Sequence, residues 1–411
     1  MAAPAIQARR GARPRAAPLL ALSAALLLLG ALMRAPVLLA YQGPLTAHAL
    51  NVDLMAHVGA YSDISHLFLR DHLGQHPMPY FDFGFEYPVL TGLFVWVASI
   101  AHTSVAAYFL SSTGLLLCLT LVTVWAISRI DGANPWLFAA APALALYGTL
   151  NWDLLGICLL VIALLLFGRG RDGFGAASLA LATSAKLFPI VVLPVIVALR
   201  LAEQRRRSAA LVVGVFIATT LAVNVPFALT GAGSIRANWS YFFTYTDQRP
   251  PRGTIWHPLL GHAADLVAVP LFVAGLALIV ILAVGARNRS GGALIPASSA
   301  ALLWVFATAK VYSPQYSLWI FAALAIDGAP WVLAVGFALL DVLIFASTFG
   351  PLYPVGPIAS EFPLAIQWGA YALRQLVTAW FAIWMIRREL NLNAAGLVLS
   401  RSGSGSTSPA R

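Results

Sequence analysis

From residue 17 onward the chain is a succession of apolar runs separated by short loops, and the charges in those loops are mostly arginine. Hydrophobic residues make up 60% of the 411 positions and charged residues only 10%, with a mean hydropathy of +0.83. A helix that crosses a hydrocarbon core of about 30 Å needs roughly 20 apolar residues. Repeated at this density, such runs specify an all-α polytopic membrane protein and leave no stretch for a soluble domain of ordinary size. Cys118 and Cys158 both lie in apolar runs, which argues against a disulfide and against a metal cluster.

Arginine position sets the expected topology. Arg9, Arg10, Arg13 and Arg15 precede the first run, which is long and lacks a small-residue cleavage site, so it reads as an uncleaved anchor with a cytoplasmic N-terminus. Arg129, Arg169, Arg171, Arg200, Arg205 to Arg207, Arg287, Arg289, Arg387 and Arg388 fall in short loops, and the positive-inside rule puts them on the same side. Counting the piece 88–101 as a crossing would place Arg129 outside and reverse every later loop. It is only about two-thirds of a span, so it is expected as a juxtamembrane or re-entrant helix. Spans then fall near 17–39, 105–128, 136–150, 154–168, 173–185, 187–201, 208–230, 266–286, 293–309, 316–327, 329–348 and 364–386, about 12 transmembrane helices in all. Several are short, and short helices are tolerated where they line a cavity. The expected organisation is a basic cytoplasmic arm over 1–16, one membrane domain over 17–390 with outer loops at 40–104 and 231–265, and a low-complexity cytoplasmic tail over 391–411. A multi-pass protein of the plasma membrane follows, both termini cytoplasmic. The net charge of +10 is explained by this topology and by anionic lipid, not by nucleic acid.

One outer stretch departs from the apolar background. Residues 61–92 hold Asp63, Arg70, Asp71, Asp82, Glu86 and three histidines. Ser62 can cap a short helix whose first turn carries Asp63 and whose apolar positions Ile64, Leu67, Phe68 and Leu73 recur at helical spacing. Such a helix ends near Gly74, and Pro77 and Pro79 force extended chain up to Tyr80. Any one of these acids could be a solvated loop residue. Their concentration in a chain so poor in charge points to a site.

The run Tyr61-Ser-Asp63, then Pro79-Tyr80, then Phe85-Glu86-Tyr87-Pro88, resembles the first outer loop of glycosyltransferase family 87. The strings AKLFPIVVLP at 185–194 and KVYSPQYSLW at 310–319 are similar to that family as well. Its members are membrane glycosyltransferases of the GT-C class that use polyprenyl-phosphate sugars, and they include actinobacterial mannosyltransferases. The resemblance implies a GT-C fold with a large first extracytoplasmic loop containing juxtamembrane helices, an active site on the outer face, and inverting transfer. It implies Asp63 as the base for an acceptor hydroxyl, with Glu86 the next carboxylate, and polyprenyl phosphate as leaving group. Mannose is the leading sugar; arabinose or another sugar stays open, and the acceptor is a glycolipid, a polysaccharide or a protein.

Cations on the outer side complete the expectation. The chain has two lysines, Lys186 and Lys310, and this topology puts both at the outer ends of short helices, with Arg70, Arg236, Arg249 and Arg252 also outside. They either snorkel to lipid headgroups or hold the donor phosphate, whose departure needs developing negative charge to be neutralised; Lys186, Lys310, Arg249 and Arg252 are the phosphate candidates. Tyr80, Tyr87, Asn151, Asp153, Trp256, His257, Gln315 and Tyr316 are the candidates for substrate contact, although Trp256 and its neighbours could instead form an interfacial aromatic belt. Asp341 and Arg374 fall inside spans, where an ionisable group is a functional candidate or half of a buried pair. There is no P-loop, dinucleotide fingerprint, His-Glu-x-x-His or nucleophile elbow, and no cofactor is expected, with a divalent ion left open for His66, His72 and His76. The alternative function is a transporter or flippase of lipid-linked sugars, or a binder of them without catalysis; a transporter would favour inverted repeats, and none is evident.

Overall fold

The computed structural model describes residues 16–40, 55–56, 58–229, 234–249, 252–290, 292–350 and 361–403. In chain order the helices are α1 (Ala16–Ala40), α2 (Asp63–Arg70), α3 (Val89–Ser99), α4 (Val105–Ile127), α5 (Trp136–Ala139), α6 (Ala143–Tyr147), α7 (Asp153–Gly168), α8 (Asp172–Ala185), α9 (Val192–Ala202), α10 (Arg206–Leu229), α11 (Ser234–Gln248), α12 (Trp256–Leu260), α13 (Ala264–Ser290), α14 (Leu294–Thr308), α15 (Ser317–Asp327), α16 (Trp331–Phe349) and α17 (Glu361–Gly403). Among the described residues there is no β-strand, only two isolated bridges, and the fold is all-α.

Five of the helices, α1, α4, α10, α13 and α16, are long and apolar enough to cross a membrane. They also turn large apolar side chains outward: Leu266 is 78% exposed, Val332 73% and Leu339 70%. A helix apolar on its outer face is built for lipid, because water would penalise that surface. The protein is therefore membrane-embedded.

Most of the other expected spans are short helices, and two of the runs are broken or irregular for a local cause. The run 136–150 is not one helix but α5 and α6, parted at Ala140 and Ala141 by Pro142, whose ring cannot continue the preceding helix. The run 187–201 begins as a 3₁₀ turn, Phe188–Val191, before α9. Helix α3 has 11 residues, a rise of about 16 Å, too little to cross, as expected for a juxtamembrane helix. In the opposite sense, α17 continues to Gly403 where composition marks a break near residue 391.

The core is the inner faces of these helices. Helix α7 packs against α8 and α4, α14 against α17 and α13, and α8 against α10. Leu154, Ile157, Leu160, Val161 and Leu164 of α7 are almost completely buried, so this helix is surrounded by protein and needs neither full length nor an amphipathic pattern. Within the first span, Arg34 is 1% exposed. Its guanidinium donates to neutral acceptors: the carbonyls of Gly30 at 2.9 Å, Leu146 at 2.6 Å and Tyr61 at 3.1 Å, and more distantly Thr149 Oγ1. One buried cation thus ties α1 to the end of α6 and to the residue that opens the acidic loop.

Candidate functional site

The acidic loop is fixed from below. Ser62 caps α2, accepting from the Ile64 amide at 3.3 Å, and its hydroxyl donates to the Thr149 carbonyl at 2.7 Å. The Asp63 amide donates to the Leu150 carbonyl at 2.8 Å. Ile64, Leu67 and Phe68 are buried, on the face that the helical spacing assigns to the core. The helix stops at Arg70, a turn earlier than Gly74, and Leu73–Gln75 forms a 3₁₀ turn between left-handed His72 and His76.

Asp63 is presented by two tyrosines. Tyr61 Oη donates to Oδ1 at 2.8 Å and Tyr87 Oη to Oδ2 at 3.0 Å. Burial and the neighbouring carboxylate raise both phenol pKa values far above the ordinary one, so both remain donors. A carboxylate oxygen has room for more than one hydrogen bond. Each oxygen of Asp63 therefore keeps capacity for a further proton donor while its orientation is set.

Glu86 is held differently. Arg70 Nη1 lies 2.7 Å from Glu86 Oε2, and Arg70 also grips Asp71 at 2.7 Å. Burial pushes the Glu86 pKa up, against the pull of Arg70 and with the help of Asp63 and Asp71. A carboxylate engaged by a guanidinium is less available to take a proton from substrate.

These groups line a cavity of about 430 Å³ that gathers residues from three separate stretches of the chain: Asp63, Glu86 and Tyr87 from 61–88, Lys186 from 185–194, and Lys310, Gln315 and Tyr316 from 310–319, with Arg249 and Arg252 beside them. A smaller lobe of about 170 Å³ shares Tyr61, Asp63, Arg249, Arg252 and Gln315 with it and extends toward Tyr371 and Thr348. Asp63 stands where the two meet.

Two connections assemble the cationic wall. Thr91 Oγ1 of α3 donates to the Ala185 carbonyl at 2.7 Å, anchoring the residue before Lys186 to the acidic loop. On the other side, the Arg252 amide bonds the Lys310 carbonyl at 3.0 Å and the Tyr312 amide bonds the Arg252 carbonyl at 2.9 Å. Gly253 makes this pairing possible: its φ is +68°, and a Cβ there would sit 2.6 Å from the Tyr312 carbonyl oxygen. Lys186 Nζ is 2.7 Å from Asp153 Oδ1 and lies over the rings of Tyr87 at 4.7 Å and Tyr316 at 5.7 Å. Lys310 Nζ is 2.8 Å from Asp265 Oδ2. Arg249 stacks over Tyr245 at 5.6 Å, and neither it nor Arg252 has a carboxylate partner among the described residues. The lysines are thus engaged and the arginines are the cations left for an anion.

Several expected contacts fall elsewhere. Tyr80 does not line the cavity: it is 1% exposed, its φ is +71°, and its hydroxyl donates to the carbonyls of Tyr87 at 2.9 Å and Pro88 at 2.8 Å over Gly92. It is a brace that shapes the Phe85–Pro88 stretch. Asn151 is buried and its Oδ1 accepts from the Asp153 amide at 3.0 Å in the turn that leads into α7, and it lines neither compartment. Asp153 meets the site only through Lys186. Trp256 packs on Ala264 and Ala268, an apolar cluster apart from the cavity. The side chain of His257 lies outside the described residues. Asp341 bonds Ser317, and Arg374 lies 3.8 Å over the Tyr312 ring and donates to the Tyr312 carbonyl at 2.5 Å, beneath the smaller lobe. His66, Phe188 and Phe242 line the cavity without having been singled out for substrate contact, and Arg70 and Tyr245 line it as well; His66 and Arg70 are polar residues one and two turns beyond Asp63 on α2. Among the described residues, no three His, Cys, Asp or Glu side chains gather into a metal-ligand set.

Compared with known proteins, no protein-family model matches the chain and no curated protein matches it.

Proposed function

We propose that the protein is an inverting glycosyltransferase that moves a sugar, with mannose first in order, from a polyprenyl-phosphate donor to a hydroxyl of a lipid, glycan or protein acceptor at the outer face of the plasma membrane. The observation that carries the reading is the Asp63 carboxylate, oriented by two phenols at the junction of two compartments, the larger of which is walled by cations. The resemblance to glycosyltransferase family 87 supplies the chemistry, and the meeting of its three strings around one cavity supports it.

In this mechanism the donor phosphate lies against Arg249 and Arg252, with Lys186 nearby, and the acceptor hydroxyl approaches Asp63 from the smaller lobe. The acceptor oxygen attacks the anomeric carbon as the bond from that carbon to the phosphate oxygen breaks. The hydroxyl proton passes to Asp63, and the leaving phosphate takes the electron pair next to the arginines, where preorganised charge costs no reorganisation. Tyr61 and Tyr87 hold the base in register while its remaining lone pairs face the acceptor. Glu86, held by Arg70, positions the loop.

The test is transfer by the purified protein from a panel of radiolabelled polyprenyl-phosphate sugars. Asp63→Asn keeps the shape and removes the basicity, and a positioned proton acceptor contributes roughly 10²- to 10⁴-fold. Turnover should fall by about that factor while donor binding persists. If Asp63→Asn transfers normally and Glu86→Gln does not, the base is Glu86. Movement of labelled lipid across a bilayer without any product would establish a flippase instead.

A further inference from the structure

The cavity around Asp63 has a counterpart elsewhere in the fold. A second, of about 530 Å³, lies where α4, α7 and α15 end and α14 begins, and Arg388 of α17 closes it. It caps the far ends of the helices that frame the first site. Helix α7 starts at Asp153 beside Lys186 and finishes at Gly168 on the second cavity; α15 starts one residue after Tyr316 and finishes at Asp327; α14 runs the opposite way, from Leu294 up to the loop that carries Lys310. A helix of 16 residues such as α7 rises about 24 Å, close to the thickness of a hydrocarbon core. The two cavities therefore lie at opposite ends of these helices.

The second cavity is two-sided in chemistry. Its wall is apolar, with Leu165, Ile295 and Ile326, and its rim carries Arg129, Arg169 and Arg388. Arg388 is engaged by Asp327 at 2.7 Å. Arg129 and Arg169 have no carboxylate partner among the described residues, although Asp131 shares the rim. Helix α14 points its N-terminus into the same space, preceded by Gly292 and with no side chain capping it, and its first turn offers the amides of Leu294 and Ile295, Pro296 having none. Positive charge at a membrane boundary could serve topology alone. It would not need a cavity, an apolar wall and an uncapped helix start converging on the same rim.

We infer that this cavity binds a phosphate-bearing group, with the phosphate between Arg129, Arg169 and the N-terminus of α14 and the apolar part of the ligand against Ile295 and Ile326. Two sources share that chemistry: the headgroup of an anionic phospholipid and a small soluble phosphate ester. The apolar wall favours the lipid. The inference does not depend on the transfer reaction proposed for the first cavity.

The experiment uses the full-length protein in nanodiscs of phosphatidylcholine, alone or with phosphatidylglycerol, and in detergent with glycerol 3-phosphate. Lipid retention is read by native mass spectrometry and stability by thermal shift. Phosphatidylglycerol should be retained and should raise the melting temperature. Arg129→Gln with Arg169→Gln should weaken retention by roughly a hundredfold, since each charge-assisted contact is worth about a factor of ten or more. A second variant, Ile295→Trp, fills the apolar wall and leaves the charges; it should also release the lipid, and it guards against misfolding of the charge variant. Protection by glycerol 3-phosphate that the arginine variant abolishes would identify the soluble source. Retention of phosphatidylglycerol that neither variant alters, or no protection by either phosphate, would overturn the inference.

Discussion

Replacing Lys186 by methionine tests both the architecture and the proposed donor site, provided the two effects are separated. The Asp153 side chain is fully buried and that of Lys186 only 13% exposed, with 2.7 Å between charges. At an effective dielectric of about 20, a pair at this distance attracts by about 6 kcal/mol before desolvation is counted, and most of that offsets the loss of water around two ions. The net pair is worth little, but half of it is costly: breaking a buried pair destabilises by about 3–5 kcal/mol, because the remaining charge has no partner. Lys186→Met should therefore unfold much more easily than the parent, and Lys186→Met with Asp153→Leu should recover most of the loss. Unfolding in mixed micelles titrated with sodium dodecyl sulfate, followed by tryptophan fluorescence, gives the comparison. A double variant as unstable as the single one would refute the pairing. Donor affinity is then measured on the double variant, which is folded; if it equals that of the parent, Lys186 serves the structure and the phosphate belongs to the arginines.

Arg249→Gln removes a cation that no carboxylate holds among the described residues, so donor affinity should fall by roughly one to two orders of magnitude, whereas Lys310→Met should have the smaller effect because Asp265 already occupies its ammonium; equilibrium binding of a labelled donor ranks them, and the reverse order would discard this assignment. Burial, opposed by Asp63 and assisted by Arg70, lowers the pKa of His66 below the ordinary histidine value, so the ring is neutral at pH 7 and becomes an extra cation near Asp63 only as the pH falls through that lowered value. The acid side of the pH profile for transfer should accordingly change in His66→Gln; an identical profile would remove His66 from the reaction.

What the sequence made legible follows from the scarcity of charge. In an apolar chain every ionisable residue is costly to retain, so Asp63, Glu86, Lys186, Arg249 and Lys310 could be picked out before any fold was known, and they line one cavity. The helical class and the short α3 were equally accessible, because hydropathy and length are local. Partnerships were not. Nothing local to Lys186 says that Asp153, on another helix, already holds it, or that Asp265 holds Lys310. Aromatic residues misled for a related reason: Tyr80 and Trp256 look like sugar platforms, and only their positions in space reveal a brace and a packing residue. The span over 136–150 failed because its apolar content was read without weighing Pro142, which divides it. The second cavity was invisible to a reading that treated Arg129, Arg169 and Arg388 as markers of orientation alone.

Arg34 carries a consequence for how the molecule is made. It sits in α1, yet the carbonyls of Tyr61 and Leu146 that accept from it are synthesised later, the second of them 112 residues on. An arginine one residue from the end of the apolar span Ala16–Ala35 costs less than the roughly 2.5–3.5 kcal/mol of a helix centre but still disfavours lipid, so the newborn α1 is less settled there until its partners arrive. Nascent chains arrested before residue 61 should keep that helix in contact with the insertion machinery, and chains arrested well beyond residue 150 should release it, a difference that site-specific crosslinking from α1 would detect and that Arg34→Leu would abolish. The residue that anchors the start of the acidic loop in the finished protein thereby makes early assembly conditional on the rest of the chain.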